Sequence, residues 1–147
     1  AYGADGMIWY TFQDVDGLGL INKVTMEHHG GCLRAIGEAA GRIRKHAALL
    51  QQVKIGGFDV RCQLPDVDPV PLHDAKGRHF VYVVNRNTRA AQSCALFWPK
   101  EQGRAEVHDL YADQPVETNE EGPMIRAVLE LAPGAGTLLA LRQKGGR

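Results

Sequence analysis

Glu27-His28-His29, followed at position 32 by Cys32, is where metal-ligating side chains crowd together in this 147-residue chain. His28 and Cys32 stand four apart and would share a helix face. A structural zinc site takes four ligands, usually as two such pairs, and no complementary Cys/His pair stands elsewhere. These residues therefore read as a helix start with an acidic first turn and exposed imidazoles. Asp59, Asp66, Asp68 and Asp74 suggest calcium, but their spacing is not that of an EF-hand, and Pro65, Pro69 and Pro71 run between them. Pro133-Gly134-Ala135-Gly136 lacks the Lys-Ser/Thr end of a phosphate loop and precedes a strand, so it reads as a hairpin turn. Cys32, Cys62 and Cys94 are odd in number and widely spaced. They make neither a disulfide framework nor a CxxC site and read as buried free thiols. No metal or organic cofactor is implied.

The elements that would carry any chemistry fall into two styles. Gly6-Met7-Ile8-Trp9-Tyr10-Thr11-Phe12 is a short apolar and aromatic run of the kind that forms a buried strand. Met7, Trp9 and Thr11 share one face of it, and Ile8, Tyr10 and Phe12 the other. Gln13, Asp14 and Asp16 follow in a polar loop, where side chains are placed either to bind or simply to meet water. Leu33, Ile36, Ala40, Ile43, Ala47 and Leu50 then repeat at steps of three and four, which predicts a helix over about residues 27–52, stopped near Gly56-Gly57. Three prolines between residues 65 and 71 exclude a helix and a central strand and mark residues 63–78 as a linker or edge segment. Beyond residue 79 the period becomes two. Residues 79–85, 93–98, 105–111, 124–131 and 137–142 are strand candidates separated by turn signals, and residues 58–62 are a candidate first strand. Short strands at this spacing predict an antiparallel sandwich.

Composition narrows the classes. Lysine plus arginine and aspartate plus glutamate both number 17, so the formal net charge is zero. That balance argues for neither nucleic acid nor an anionic membrane as partner. No apolar stretch approaches the roughly 18 residues that span a bilayer. A buried strand needs covered faces and paired edges, which so few preceding residues cannot supply. Ala1 is therefore expected to be a cut point within a longer protein.

Residues 1–12, Ala-Tyr-Gly-Ala-Asp-Gly-Met-Ile-Trp-Tyr-Thr-Phe, resemble the eighth barrel strand of clan A glycoside hydrolases, in families related to β-galactosidases. Gly19-Leu20-Ile21-Asn22 resembles the loop before the last barrel helix, and residues 43–50 resemble that helix. A C-terminal β-sandwich in the family carries strands similar to Val81–Asn85, Val107–Leu110 and Leu131–Leu141. The α-amylase superfamily ends in a similar sandwich. The resemblance implies a composite fold: the final β-strand/α-helix unit of a (β/α)8 barrel in residues 1–55, a linker with a first sandwich strand in residues 56–78, and an antiparallel β-sandwich in residues 79–147. It implies hydrolysis of O-glycosidic bonds by the parent protein, with a carbohydrate substrate and with the missing N-terminal barrel as partner. The two catalytic carboxyls of such enzymes would lie upstream of Ala1, so this piece alone is expected to be inactive. Trp9 would stack on a sugar ring, with Gln13 and Asp14 binding hydroxyls; the alternative for Trp9 is core packing between barrel and helices. Trp98 and Tyr111 are a possible sugar platform on the sandwich, with core or interface packing as the alternative. Two other readings remain: a self-contained sandwich module that binds carbohydrate or braces a neighbour, and an unrelated α+β domain.

Overall fold

The computed structural model describes residues 13–14, 21–22, 25–26, 32–102 and 105–143. Two short strands, β1 (Gln13–Asp14) and β2 (Ile21–Asn22), pair in parallel. Helix α1 (Cys32–Leu50) follows. The rest is strand: β3 (Val53–Ile55), β4 (Arg61–Cys62), β5 (Val67–Asp74), β6 (His79–Asn85), β7 (Gln92–Pro99), β8 (Ala105–Asp109), β9 (Gln114–Val116), β10 (Thr118–Glu121), β11 (Met124–Leu131) and β12 (Gly136–Gln143). Residues from 52 onward form one compact unit, and α1 belongs to a separate one. No helix among the described residues is long and apolar enough to cross a membrane.

The larger unit is two antiparallel sheets. One has six strands in the order β3-β5-β6-β12-β8-β9, the other four in the order β10-β11-β7-β4. Alternation decides which side chains meet between them. Val67, Val81, Val83, Val107, Leu139 and Leu141 come from the six-stranded sheet, and Cys94, Leu96, Trp98, Ile125, Ala127, Leu129 and Leu131 from the four-stranded one. Each such buried aliphatic side chain contributes about 1.5–3 kcal/mol of transfer free energy. The six-stranded sheet is also apolar on its other face, where Val70, Leu72, Phe80, Leu138 and Ala140 are buried. Arg78 lies over the Phe80 ring at 5.8 Å from its centre, and Tyr82 meets Tyr111 edge to face at 6.2 Å.

The barrel expectation is overturned. A βα unit places a crossover helix of a dozen or more residues between parallel neighbours. Here the parallel partners β1 and β2 are separated by a few residues with no described helix between them. The chain leaving α1 enters an antiparallel pairing, Val53 with Asp74 and Ile55 with Leu72. No (β/α)8 unit exists among the described residues; the architecture is a β-sandwich plus one helix. Residues 6–12, read as a barrel strand, and the helix start at 27–31 lie outside the described residues.

The helix ends at Leu50, earlier than its expected stop, with Gln51 N–H donating to Ala47 O at 3.0 Å. Gly56 and Gly57, at φ of 101° and 92°, instead turn the chain out of β3. On α1, Ile36, Ala47 and Leu50 are half-buried and Ile43 exposed.

Residues 67–74 are a full strand despite two prolines. Pro71 O accepts from Gly56 N at 2.9 Å, so the carbonyl of Pro71 faces away from β6. In a strand, residues two apart present their backbone groups to the same side. Pro69 and Pro71 thus withhold amide hydrogens that β6 does not need, while residues 68, 70 and 72 make the ladder to it. Strands β3, β9 and β10 were not anticipated. They are three or four residues long and largely exposed, too short to show a period.

Candidate functional site

One end of the sandwich gathers most of its ordered polar groups. Four connections meet there: residues 63–66, 86–91, 110–113 and 132–135. Asn85, the last residue of β6, is fully buried. Its Nδ2 donates to Ala90 O at 3.0 Å, Ala132 O at 3.0 Å and Leu131 O at 3.3 Å. Its Oδ1 accepts from Asn87 N at 3.0 Å, and its own N–H donates to Ala135 O. One amide thereby fixes both the β6–β7 and the β11–β12 connections.

Arg86 extends the network outward. Its Nε pairs with Asp68 Oδ2 at 2.9 Å, and its Nη2 donates to Pro65 O. Its N–H donates to Asp66 O at 2.7 Å. Asn87 Oδ1 accepts from the N–H groups of Arg89 and Ala90, both at 2.9 Å, making an Asx turn. Asn87 O accepts from Gly134 N. The Arg86 guanidinium is half-exposed, so the ion pair itself contributes little. Its value is in holding the loop.

Asp109 closes the β8 side. It is 8% exposed, and its Oδ1 accepts from Thr137 Oγ1 at 2.5 Å, Tyr111 N at 2.8 Å and Ala112 N at 3.0 Å. Tyr82 reaches this end over Gly136, where a Cβ would stand 3.3 Å from the phenol oxygen and 2.9 Å from Val83 O. A glycine is required there by close approach.

At the opposite end, Asp74 caps the β5–β6 hairpin. It accepts from Lys76 N and Arg78 N, both at 2.9 Å, and from Arg78 Nε at 2.6 Å. Burial alone would raise its carboxyl, but the hydrogen bonds from Arg78 and from Lys76 N–H and the Arg78 charge outweigh that and hold it below the ordinary value. Asp74 and Asp109 are thus acceptors for fixed donors, an arrangement suited to bracing turns rather than to moving protons.

Trp9 lies outside the described residues. Gln13 and Asp14 are described by backbone alone, in the β1 ladder. Glu27, His28 and His29 also lie outside them, and Cys32 is the first residue of α1. Asp59 and Asp66 are exposed, Asp68 pairs with Arg86, and Asp74 with Arg78. Among the described residues, no three His, Cys, Asp or Glu side chains converge to hold a metal ion. Trp98 and Tyr111 do not form a platform: Trp98 is sealed in the core at 0% exposure, while Tyr111 packs on Tyr82. From sequence Asn85 reads as the end of a strand and the start of a turn signal, and Arg86 and Asn87 as that turn. Their repeated amide side chains beside a strand end were the available signal.

No protein-family model matches the chain, and no curated protein does. Among solved structures, the chain is similar to part of a rhamnosidase from Novosphingobium sp. PP1Y, with 16% identity and a TM-score of 0.44 over 71% of this chain. The chain spans about a tenth of the length of that rhamnosidase, 10%. At that level the assignment of a role rests on the residues themselves.

Proposed function

We propose that residues 52–143 form a non-catalytic accessory module of a glycoside hydrolase, bracing a catalytic domain rather than cleaving or capturing sugar itself. The observation that carries this reading is where the family-like segments fall. Residues 81–85, 107–110 and 131–141 supply β6, the β8 end and β12, three adjacent strands in the six-stranded sheet. Asn85 and Asp109, polar residues of those segments, are buried and fasten three connections, residues 86–91, 110–113 and 132–135. Segments alike in order and in sequence therefore coincide with the mechanical centre of the module. A sugar platform needs an open, flat aromatic face. Tyr82 and Tyr111, the aromatic pair at the loop end, meet edge to face and half-bury each other, which favours bracing over capture.

The test is made on the complete polypeptide encoded with this chain. Deleting residues 52–147 is expected to lower the thermal midpoint of its glycosidase activity while leaving KM for small glycosides within about twofold. A polypeptide with no glycoside-cleaving activity in any part, or one whose KM for polymeric substrate alone rises on deletion, overturns the bracing role.

A further inference from the structure

The two described thiols are neighbours, and neither the fold nor the proposed role uses them. Cys62 is on β4, paired with Leu96 of β7. Cys94 lies two residues before Leu96, on the same inward face, at 0% exposure. Extending the register sets Cys94 opposite Leu64. Leu64 N–H donates to the Cys62 sulfur at 3.5 Å, so that side chain leans along its strand toward the position facing Cys94. Cys62 packs against the buried cluster that holds Cys94. Cys62 is half-buried at the edge of the sheet, whereas Cys94 is sealed.

We propose that Cys62 and Cys94 are a dithiol site that a small-molecule disulfide oxidises to an intramolecular disulfide, tying edge strand β4 to β7. In the first step the Cys62 thiolate attacks one sulfur of the reagent. A mixed disulfide forms at Cys62, and one reagent thiol leaves with the proton that Cys62 gave up. In the second step Cys94 sulfur attacks the Cys62 sulfur, the second reagent thiol leaves, and the protein disulfide forms. The two thiols lose two hydrogens and two electrons, and the reagent gains both. Geometry gives the order, because Cys62 alone is reachable from solvent. Burial, and then the neighbouring Cys62 thiol, push the Cys94 thiol up to about 12, so the second step quickens with rising pH. Strand β4 has two residues and pairs on one side only, and a covalent link closing a loop of about 30 residues is what such an edge lacks.

The experiment uses the full chain with Cys32→Ser, which leaves these two thiols alone. It is incubated natively with oxidised and reduced glutathione, then quenched with acid and mapped by mass spectrometry. The expected result is joint loss of both thiols, a mass lower by two hydrogens, a peptide carrying Cys62 joined to one carrying Cys94, and a thermal midpoint raised by on the order of 10 °C. Adding Cys94→Ala should strand glutathione on Cys62. Should that variant not fold, Cys62→Ala must leave Cys94 without adduct. Two thiols that both remain alkylatable after denaturation, a stable glutathione adduct on Cys62 with Cys94 intact, or an adduct on Cys94 in Cys62→Ala overturns the proposal.

Discussion

Replacing Asn85 should damage the sandwich more than its size suggests. In Asn85→Ala the carbonyls of Ala90, Leu131 and Ala132 lose their donor and Asn87 N–H loses its acceptor. A net hydrogen bond is worth about 1 kcal/mol, and a buried group left unpaired costs about 1–3 kcal/mol. Two donated protons and one accepted bond, with some of the carbonyls reaching water at the loop surface, give a loss of about 3–5 kcal/mol. Against a domain stability of about 5–15 kcal/mol, that moves a urea midpoint down by about 2 M or more at unchanged slope. Asn85→Asp separates donor loss from cavity formation. It keeps the shape and the acceptor but turns an oxygen toward three carbonyl oxygens. Its carboxyl is then held above its unfolded value of about 3.9. A carboxyl raised on folding penalises the native state as pH climbs from the unfolded toward the folded value. The deficit of Asn85→Asp relative to the parent should therefore shrink as pH falls from 7 to 4. The assay is equilibrium urea unfolding followed by tryptophan fluorescence at several pH values. A cost below about 1 kcal/mol for Asn85→Ala, or a deficit in Asn85→Asp that ignores pH, refutes the argument.

Other substitutions test other parts of the design. Trp98 Nε1 is buried without a partner, so Trp98→Phe removes an unpaired donor along with packing. It should cost under about 2 kcal/mol, less than the roughly 2–5 kcal/mol expected of Leu96→Ala beside it, by urea unfolding. Gly57→Ala meets φ of 92° and would set its Cβ 2.8 Å from His73 Nδ1. Gly77→Ala has φ of 74° and nothing within 4 Å, so it should lose about 1 kcal/mol and Gly57→Ala distinctly more. Asp74 is held below its ordinary value, so its stabilisation is complete above the unfolded value near 3.8 and is lost as pH falls through the folded one. Asp74→Asn should be less stable at pH 7 in thermal melts, with the gap to the parent closing on acidification.

Much of the sandwich was legible because its central strands alternate strongly. Phe80-Val81-Tyr82-Val83-Val84, Cys94–Trp98 and Met124–Leu131 each read as strand from side-chain type alone and appear as β6, β7 and β11. β5 is hidden in the sequence because proline reads as a bar to interior pairing. Residue spacing decides otherwise when both prolines turn the same backbone side outward. The barrel was misread because an apolar run followed by an amphipathic helix has the same local pattern in many folds, and only long-range pairing distinguishes them. Asn85 was unreadable as an anchor because two of its acceptors lie 46 and 47 residues away. The closeness of Cys62 to Cys94 likewise depends on a register that no local pattern announces.

The outward side of β5 has one more consequence. Along residues 67–73 the amides on that side are accounted for: Val67 N–H donates to Leu64 O, positions 69 and 71 are prolines, and His73 faces β3. Beyond the three residues that β3 covers, the border offers an incoming polypeptide no hydrogen to grasp. A second copy approaching there would find carbonyl acceptors but no donors to complete a ladder, and the prolines that disguised the strand act as its guard against fibril-like stacking.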